Sequence, residues 1–232
     1  MNLNTIKDIA SELFLALKKQ EMIKPLTERY PEIDINDAYQ ISRKFLSLRE
    51  KEGEKIIGKK IGVTSPVVQE MLGVNQPDFG FLTHSMQVQN KSNFSIGTSL
   101  IQPRAEAEIA FILKDDLYGP GITKDDVILA TEKIVPCFEI VDSRIESWNI
   151  KIQDTIADNA SCGIFILGEG SSSPQQYPMD ELEVIVYKNG EFLSSGKGSA
   201  VQGHPAEAVA WLANTLGAVS YTHLTLPTSY AV

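Results

Sequence analysis

Glu106 and Glu108 stand two residues apart in the run Gln102-Pro-Arg-Ala-Glu-Ala-Glu-Ile-Ala-Phe-Ile-Leu113. The run reads as a β-strand, and side chains at i and i+2 of a strand leave the same face. Two carboxylates placed side by side are a chelate for one hard cation. A second strand-like run, Ile134-Val-Pro-Cys-Phe-Glu-Ile-Val-Asp-Ser-Arg144, adds Glu139. Ala110 and Ile112 continue the glutamate face, while Ile109, Phe111 and Leu113 fill the other. Glu139 shares its face with Val135, Cys137 and Val141. The acids are therefore expected where a core forms, and an unpaired carboxylate there is costly. A divalent cation would neutralise them, and oxygen-only ligands suit Mg²⁺ or Mn²⁺ rather than Zn²⁺. The plainer alternative is a solvated strand edge, with Arg104 and Arg144 as ordinary salt-bridge partners. A third acid in an apolar strand weighs towards a site.

These strands need a scaffold. Ile6, Ile9, Ala10, Leu13, Phe14 and Leu17 recur at helical spacing. Pro25 and Pro31 bracket a connection, and Asp34 or Asn36 caps a second helix with Ala38, Ile41, Phe45 and Leu48 as its stripe, ended by Gly53. Strands are expected at 55–63, 100–113, 134–144, 163–167 and 182–187. Asn189-Gly190 predicts a hairpin turn into 191–195. Ser65-Pro66 opens a helix, Thr123 to Asp126 forms a capping box for a short helix ending near Ala130, and 204–216 reads as helix. The expected fold class is α+β: a helical cap over 1–53 on a strand-rich core over 54–218.

Composition narrows the function classes. A chain of 232 residues with 43% apolar and 22% charged residues is an ordinary globular protein. Its net charge of −9 argues against nucleic acid as a main partner. No apolar run reaches membrane-spanning length, and the N-terminus lacks a signal peptide's pattern, so a cytoplasmic protein is expected. Cys137 and Cys162 both lie in apolar runs and read as buried thiols. No Cys/His cluster suggests zinc, and no Gly-x-Gly-x-x-Gly suggests a dinucleotide.

The segment Val219-Ser-Tyr-Thr-His-Leu-Thr-Leu-Pro-Thr228 back-translates to a string that resembles a sequencing-library adapter. It leads to the expectation that 219–232 is a non-native tail, that the core is truncated after Gly217, and that His223 carries no chemistry. A truncated, non-catalytic fragment is accordingly one alternative reading of the chain.

Five motifs in order, Gly58-Lys-Lys-Ile-Gly-Val-Thr-Ser65, Gln76-Pro-Asp-Phe-Gly80, Gln102–Phe111, Phe138-Glu-Ile-Val-Asp-Ser-Arg144 and Ala157-Asp-Asn-Ala-Ser-Cys-Gly163, together resemble the 2-hydroxypenta-2,4-dienoate (2-keto-4-pentenoate) hydratases of the fumarylacetoacetate hydrolase superfamily. The resemblance spans nearly all of 1–217. It implies a fumarylacetoacetase-like mixed β-sheet roll or barrel. It also implies metal-dependent addition of water to 2-hydroxypenta-2,4-dienoate, giving 4-hydroxy-2-oxopentanoate in the meta-cleavage breakdown of aromatic compounds. The sister 4-oxalocrotonate decarboxylases are the alternative. The chain follows the hydratase pattern at Lys59, at the Gln-Pro-Arg lead-in and at the Cys-Gly after Ser161.

By the same resemblance, Glu106, Glu108 and Glu139 are the metal ligands for Mg²⁺ or Mn²⁺. Lys60 and Asp78 are the catalytic candidates, with Lys60 pairing with substrate carboxylate or helping proton transfer. Its neighbour Lys59 points the other way, so one of the two is expected at the solvated surface. Asp78 positions water or acts as acid–base group, or else simply serves a Pro-Asp-Phe-Gly turn. Val63, Asp158, Asn159 and Ser161 are the substrate-binding candidates, with structural bracing an equal alternative for Asp158 and Asn159. His84 reads as a loop residue. The partners implied are a small 2-hydroxydienoate or 2-oxo acid and a second copy of the chain, with association with the decarboxylase as a further possibility.

Overall fold

The computed structural model describes residues 1–218 together with Tyr230 and Ala231. His223 and most of the expected non-native tail lie outside the described residues. In chain order the elements are α1 (Leu3–Lys19), α2 (Leu26–Arg29), α3 (Ile35–Lys51), β1 (Ile56–Gly62), α4 (Pro66–Leu72), β2 (Asp78–Thr83), β3 (Pro103–Leu113), α5 (Lys124–Ala130), β4 (Thr131–Asp142), α6 (Ile152–Ala157), β5 (Cys162–Leu167), β6 (Glu183–Lys188), β7 (Glu191–Lys197), α7 (Pro205–Ala218) and β8 (Tyr230–Ala231). The fold is α+β. Two compact units interleave along the chain.

The first unit comprises 1–62, 78–106 and 138–166. The side chain of Asn2 accepts from Asn4 N and Thr5 N to start α1, whose buried face is Ile6, Ile9, Ala10, Leu13 and Ala16. Asp34, not Asn36, caps α3 through a capping box with Asp37. The α3 stripe buries Ala38, Ile41, Phe45 and Leu46, with Leu46 taking the place expected for Leu48. β1 and β2 pair antiparallel, with Lys60 opposite Gly80 and Gly62 opposite Asp78. The first residues of β3, the last of β4 and most of β5 run side by side in that order.

β2 corrects the sequence reading, which placed a turn at Asp78. All six residues of the strand are buried. A strand buried on both faces carries no alternation, so its period-2 signature is missing. The six-residue helix α6 was also not anticipated. It is shorter than two helical turns and cannot display a periodic stripe.

The second unit comprises 63–77, 107–137 and the rest of the chain from 167. Thr123 caps α5 as its capping box predicts. β6 and β7 form a two-stranded antiparallel sheet whose turn, Asn189-Gly190, has both residues at positive φ, as a type I′ hairpin requires. In β3, Phe111 and Ile112 pair with β8.

A polar clasp joins the end of α3 to β2. Glu54 receives two hydrogen bonds from the Arg49 guanidinium, at 3.0 and 2.9 Å, and further ones from the hydroxyls of Ser85 and Thr83. Partial burial works to raise the Glu54 pKa, but these donors win and hold it at about 2. Discounted for its partial exposure, the clasp stabilises the fold by about 1–2 kcal/mol. Because the folded pKa lies below the unfolded value, this stability is present above about pH 4.5 and is lost as pH falls towards 2. Glu54→Gln is expected to lower the denaturation midpoint at pH 7. The gap from the unsubstituted protein should close when the same titrations are run near pH 2–3. A gap that is unchanged with pH would refute the assignment.

Candidate active site

Register places four residues on one face of the β1–β2 pair. Directly opposed residues share a face, as do residues two apart, so Lys60, Gly62, Asp78 and Gly80 project together. Two carry charge and two carry no side chain. A Cβ on Gly62 would lie 2.4 Å from Asp78 Oδ1 and 3.0 Å from Lys60 Nζ. A Cβ on Gly80 would lie 2.4 Å from the carbonyl oxygen of Asn159 and 2.7 Å from Cys162 Sγ. The glycines make the room that the charged pair and the 159–162 turn occupy.

Lys60 Nζ lies 3.4 Å from Glu139 Oε2, and the two side chains are 5% and 3% exposed. Glu139 projects from β4 with Val135, Cys137 and Val141 on the buried face, while Pro136 and Phe138 are exposed, as the alternation predicted. Glu139 Oε1 and Asp78 Oδ1 are both buried without a hydrogen-bond partner. Burial pushes Glu139 up to about 7, with Lys60 opposing and Glu106 adding to the rise. Asp78 is likewise raised by burial, against the pull of Lys60. Burial alone would lower Lys60, but Glu139, then Cys162, Asp78 and Glu106, hold it above its ordinary value as an ammonium. One buried cation thus faces a surplus of acids that cannot all ionise unaided.

Glu106 adds its charge to all three of these groups. It is itself exposed, and Glu108, two residues further along β3, is half-buried. The expectation of three acids sunk in a core therefore holds for Glu139 only. Among the described residues no three side chains of ligand type stand close enough together to grip an ion as they are. What fits a hard divalent cation is the donor chemistry: carboxylates only, with two buried oxygens unpartnered. Lys59 is 8% exposed and burial lowers its pKa, so neither lysine is the solvated one.

The Asp158–Ser161 motif braces this face from behind. Asp158 Oδ1 accepts from Arg144 Nε at 2.5 Å and Oδ2 from Arg144 N at 2.8 Å. The Asn159 side chain pairs with the backbone of Phe81 in both directions, at 2.8 and 2.9 Å. Ser161 Oγ meets Thr155 Oγ1 at 3.1 Å. Asn159, Ala160 and Ser161 all have positive φ, a left-handed run that L-residues disfavour and that these bonds hold in place. Val63, in the other unit, is also left-handed at φ 56, a strained state for a β-branched residue. Its carbonyl accepts from Gln69 Nε2 at 3.0 Å. His84 is an exposed residue whose Nδ1 accepts from Lys55 N.

Sequence reasoning missed three contributors. Cys162 is buried beside Lys60 and Glu139, and burial raises its thiol. Tyr39 of α3 stacks on Phe79 at 4.5 Å, its hydroxyl pKa raised by burial and by Asp78. Nothing in the α3 pattern marks Tyr39. Gly62 was findable, because it stands at i+2 from Lys60.

No family model matches the chain. It is 57% identical over 92% of its length to a 2-hydroxyhexa-2,4-dienoate hydratase of Comamonas testosteroni, of which it covers 81%. It is 54% identical over 94% of its length to a 2-hydroxypent-2,4-dienoate hydratase of Pseudomonas putida, of which it covers 98%. The chain belongs to the 2-keto-4-pentenoate hydratase family. Among solved structures, 4-oxalocrotonate decarboxylase from Pseudomonas putida G7, complexed with magnesium and adipate, matches with a TM-score of 0.95 and 33% identity, covering 100% of this chain and 87% of that one. Fumarylacetoacetate hydrolase from Exiguobacterium antarcticum matches with a TM-score of 0.52 and 11% identity over 70% of this chain and 58% of its own, which shows the shared fold. Both hydratases are markedly closer in sequence than the decarboxylase, so the latter is a relative in structure.

Within this hydratase family member, a side chain at Gly62 would strike Asp78 and Lys60 directly. Gly62→Ala is expected to displace Asp78 from Lys60 and to cut turnover about 10²-fold, as a misplacement of about 1 Å does, while circular dichroism stays that of the folded protein. Full activity in this variant would remove the Lys60–Asp78 juxtaposition from the mechanism. Asn159→Ala should instead lower thermal stability, by about 1–3 kcal/mol for the unmade bonds to Phe81.

Proposed function

We propose that the chain hydrates 2-hydroxypenta-2,4-dienoate to 4-hydroxy-2-oxopentanoate, in the meta-cleavage catabolism of aromatic compounds. The observation that carries this reading is the solvent-excluded Lys60–Glu139 pair, flanked by Asp78 and Glu106 and left with unpartnered carboxylate oxygens, in a chain 54–57% identical to dienoate hydratases. The relative named for the hexadienoate suggests that a one-carbon-longer tail is also accepted.

Glu106, Glu108 and Glu139 would hold a divalent cation, Mg²⁺ or Mn²⁺. Magnesium in the decarboxylase complex, and Mn²⁺ with pyruvate in a fumarylpyruvate hydrolase of the same fold, support that class of ion. When bound, it would polarise the C2 oxygen of the substrate and stabilise negative charge there. The chain's own residues then have defined work. In the first stage the 2-hydroxyl loses its proton and C5 gains one, giving an α,β-unsaturated 2-oxo acid. In the second, water oxygen bonds to C4 and a proton reaches C3. Lys60, held as an ammonium, offers fixed positive charge to the C2 oxygen as electrons move onto it. Asp78, whose pKa burial raises, holds and returns the proton. Both groups are almost wholly excluded from solvent, which strengthens each charge interaction. Asp158, Asn159 and Ser161 support the face from behind, and Val63 shapes the turn that leaves β1.

The reading includes a cytoplasmic enzyme working as a homo-oligomer, able to associate with a 4-oxalocrotonate decarboxylase. Among the described residues no helix is long and apolar enough to cross a membrane. The 0.95 TM-score favours one second reading, decarboxylation of 2-oxo-3-hexenedioate.

The test supplies the dienoate with Mg²⁺ or Mn²⁺ and follows loss of its ultraviolet absorbance. Turnover is expected, abolished by a chelator and restored by either metal. Glu106→Ala should reduce it by about 10²–10³-fold in a folded protein. Carbon dioxide release from the hexenedioate without hydration of the dienoate would select the decarboxylase. Metal-independent turnover would remove the cation.

A further inference from the structure

The strand that carries the acids begins with a cation. Arg104 stands two residues before Glu106, so the two side chains leave β3 on the same face. Arg104 is exposed, yet it is held. Its guanidinium carbon lies 4.3 Å from the centroid of the Trp148 ring. Trp148 is fixed in turn, because its Nε1 donates to the carbonyl of Gln102 at 2.9 Å. The Gln102 side chain donates back to the carbonyls of Ser143, at 2.9 Å, and Ile145. Two further bonds, from Ile101 N and Gln102 N to the Asp142 carboxylate, fix the lead-in to β3.

This clamp uses unfavourable backbone. Ser147 and Trp148 both have φ of 56. For a bulky residue such as Trp the left-handed region is an outlier, and such outliers persist only where the surroundings over-determine them. An arginine that serves only solubility needs neither the strained turn nor the glutamine clasp.

Two buried cations of the same unit are already committed. Lys60 is buried against Glu139, and Arg144 is buried against Asp158. Stacking on an indole occupies the flat face of the Arg104 guanidinium. It leaves the edge N–H donors in the ring plane, in the fork that matches a carboxylate.

We propose that Arg104, presented on the Trp148 ring beside Glu106, is the specificity-determining residue that receives the carboxylate of the 2-oxo acid. The inference rests on the 2-oxo acid reading of the site. Its role is binding and orientation, and the protons move elsewhere on the face. Trp148 and Gln102 are positioning residues that act through Arg104.

The test measures binding of 2-oxopentanoate, which cannot be hydrated, and of its uncharged amide, 2-oxopentanamide, to the Mn²⁺-loaded full chain by calorimetry. The unsubstituted protein should prefer the acid. Arg104→Ala should weaken the acid by about 10–100-fold, as loss of a charged hydrogen-bond pair does, and leave the amide within about 3-fold. Arg104→Lys should recover part of the preference, and Trp148→Phe, which keeps a ring under the cation, most of it. With the dienoate, Arg104→Ala should raise KM by a similar factor with kcat little changed. Equal weakening of acid and amide, no weakening of either, or no preference in the unsubstituted protein would each overturn the proposal. Preference for the acid that depends on Arg104, in a protein that does not turn over the dienoate, would sink the hydratase reading and leave this one standing. Normal turnover with an acid preference that survives Arg104→Ala would do the reverse.

Discussion

Arg144 has no exposed atom, and much of the acid-bearing unit is organised around it. Its guanidinium bonds to the Asp158 carboxylate, to the carbonyls of Asp142, Asp158 and Cys162, and lies over the Phe45 ring. A buried arginine must have its charge neutralised and its donors satisfied, or it costs several kcal/mol. Those partners come from four places in the chain: the end of β4, the turn after α6, the start of β5 and the middle of α3. Satisfying one side chain therefore assembles the strand ends and the helical layer in a single arrangement. Truncating either partner would leave the other charge buried and alone.

The face that carries Lys60 and Asp78 inherits its shape from that arrangement. With the 159–162 turn held by Arg144 and by the paired bonds of Asn159 to Phe81, Gly80 must be glycine, because the turn fills the space of a side chain. Gly62 must be glycine for the reciprocal reason, since Asp78 and Lys60 fill its space. What remains is one buried ammonium between buried acids whose pKa values burial raises. An acid-rich, dry face of this kind is electrostatically incomplete, and a cation with an oxyacid substrate would complete it, as proposed above. The same logic separates two kinds of buried polar residue in this chain: those whose bonds are made within the protein, such as Asp158 and Asn159, and those with an oxygen to spare, such as Asp78 and Glu139.

Much of this was legible in the chain. The β4 alternation put Glu139 on the same buried side as Val135, Cys137 and Val141, and that is where it lies. The caps at Asp34 and Thr123, and the Asn189-Gly190 turn, are local rules met locally. β2 was not legible, because burial on both faces erases the alternation from which strands are read, and the Pro-Asp-Phe-Gly pattern imitates a turn. The depth of Glu106 was misjudged for a related reason. Pattern gives the face a residue occupies, but exposure depends on what covers that face.

By itself, the sequence determined which residue types could do chemistry and on which face of which strand they stand, since backbone geometry makes side-chain direction periodic. It also carried the family, through motifs kept in order. Only the tertiary structure decided which charges meet. Lys60 and Glu139 are distant in the chain, as are Arg144 and Phe45, and Asn159 and Phe81. Their pairing is set by close packing, which brings Lys60 to Glu139 and Arg144 to Asp158 and fills the space left open at Gly62 and Gly80.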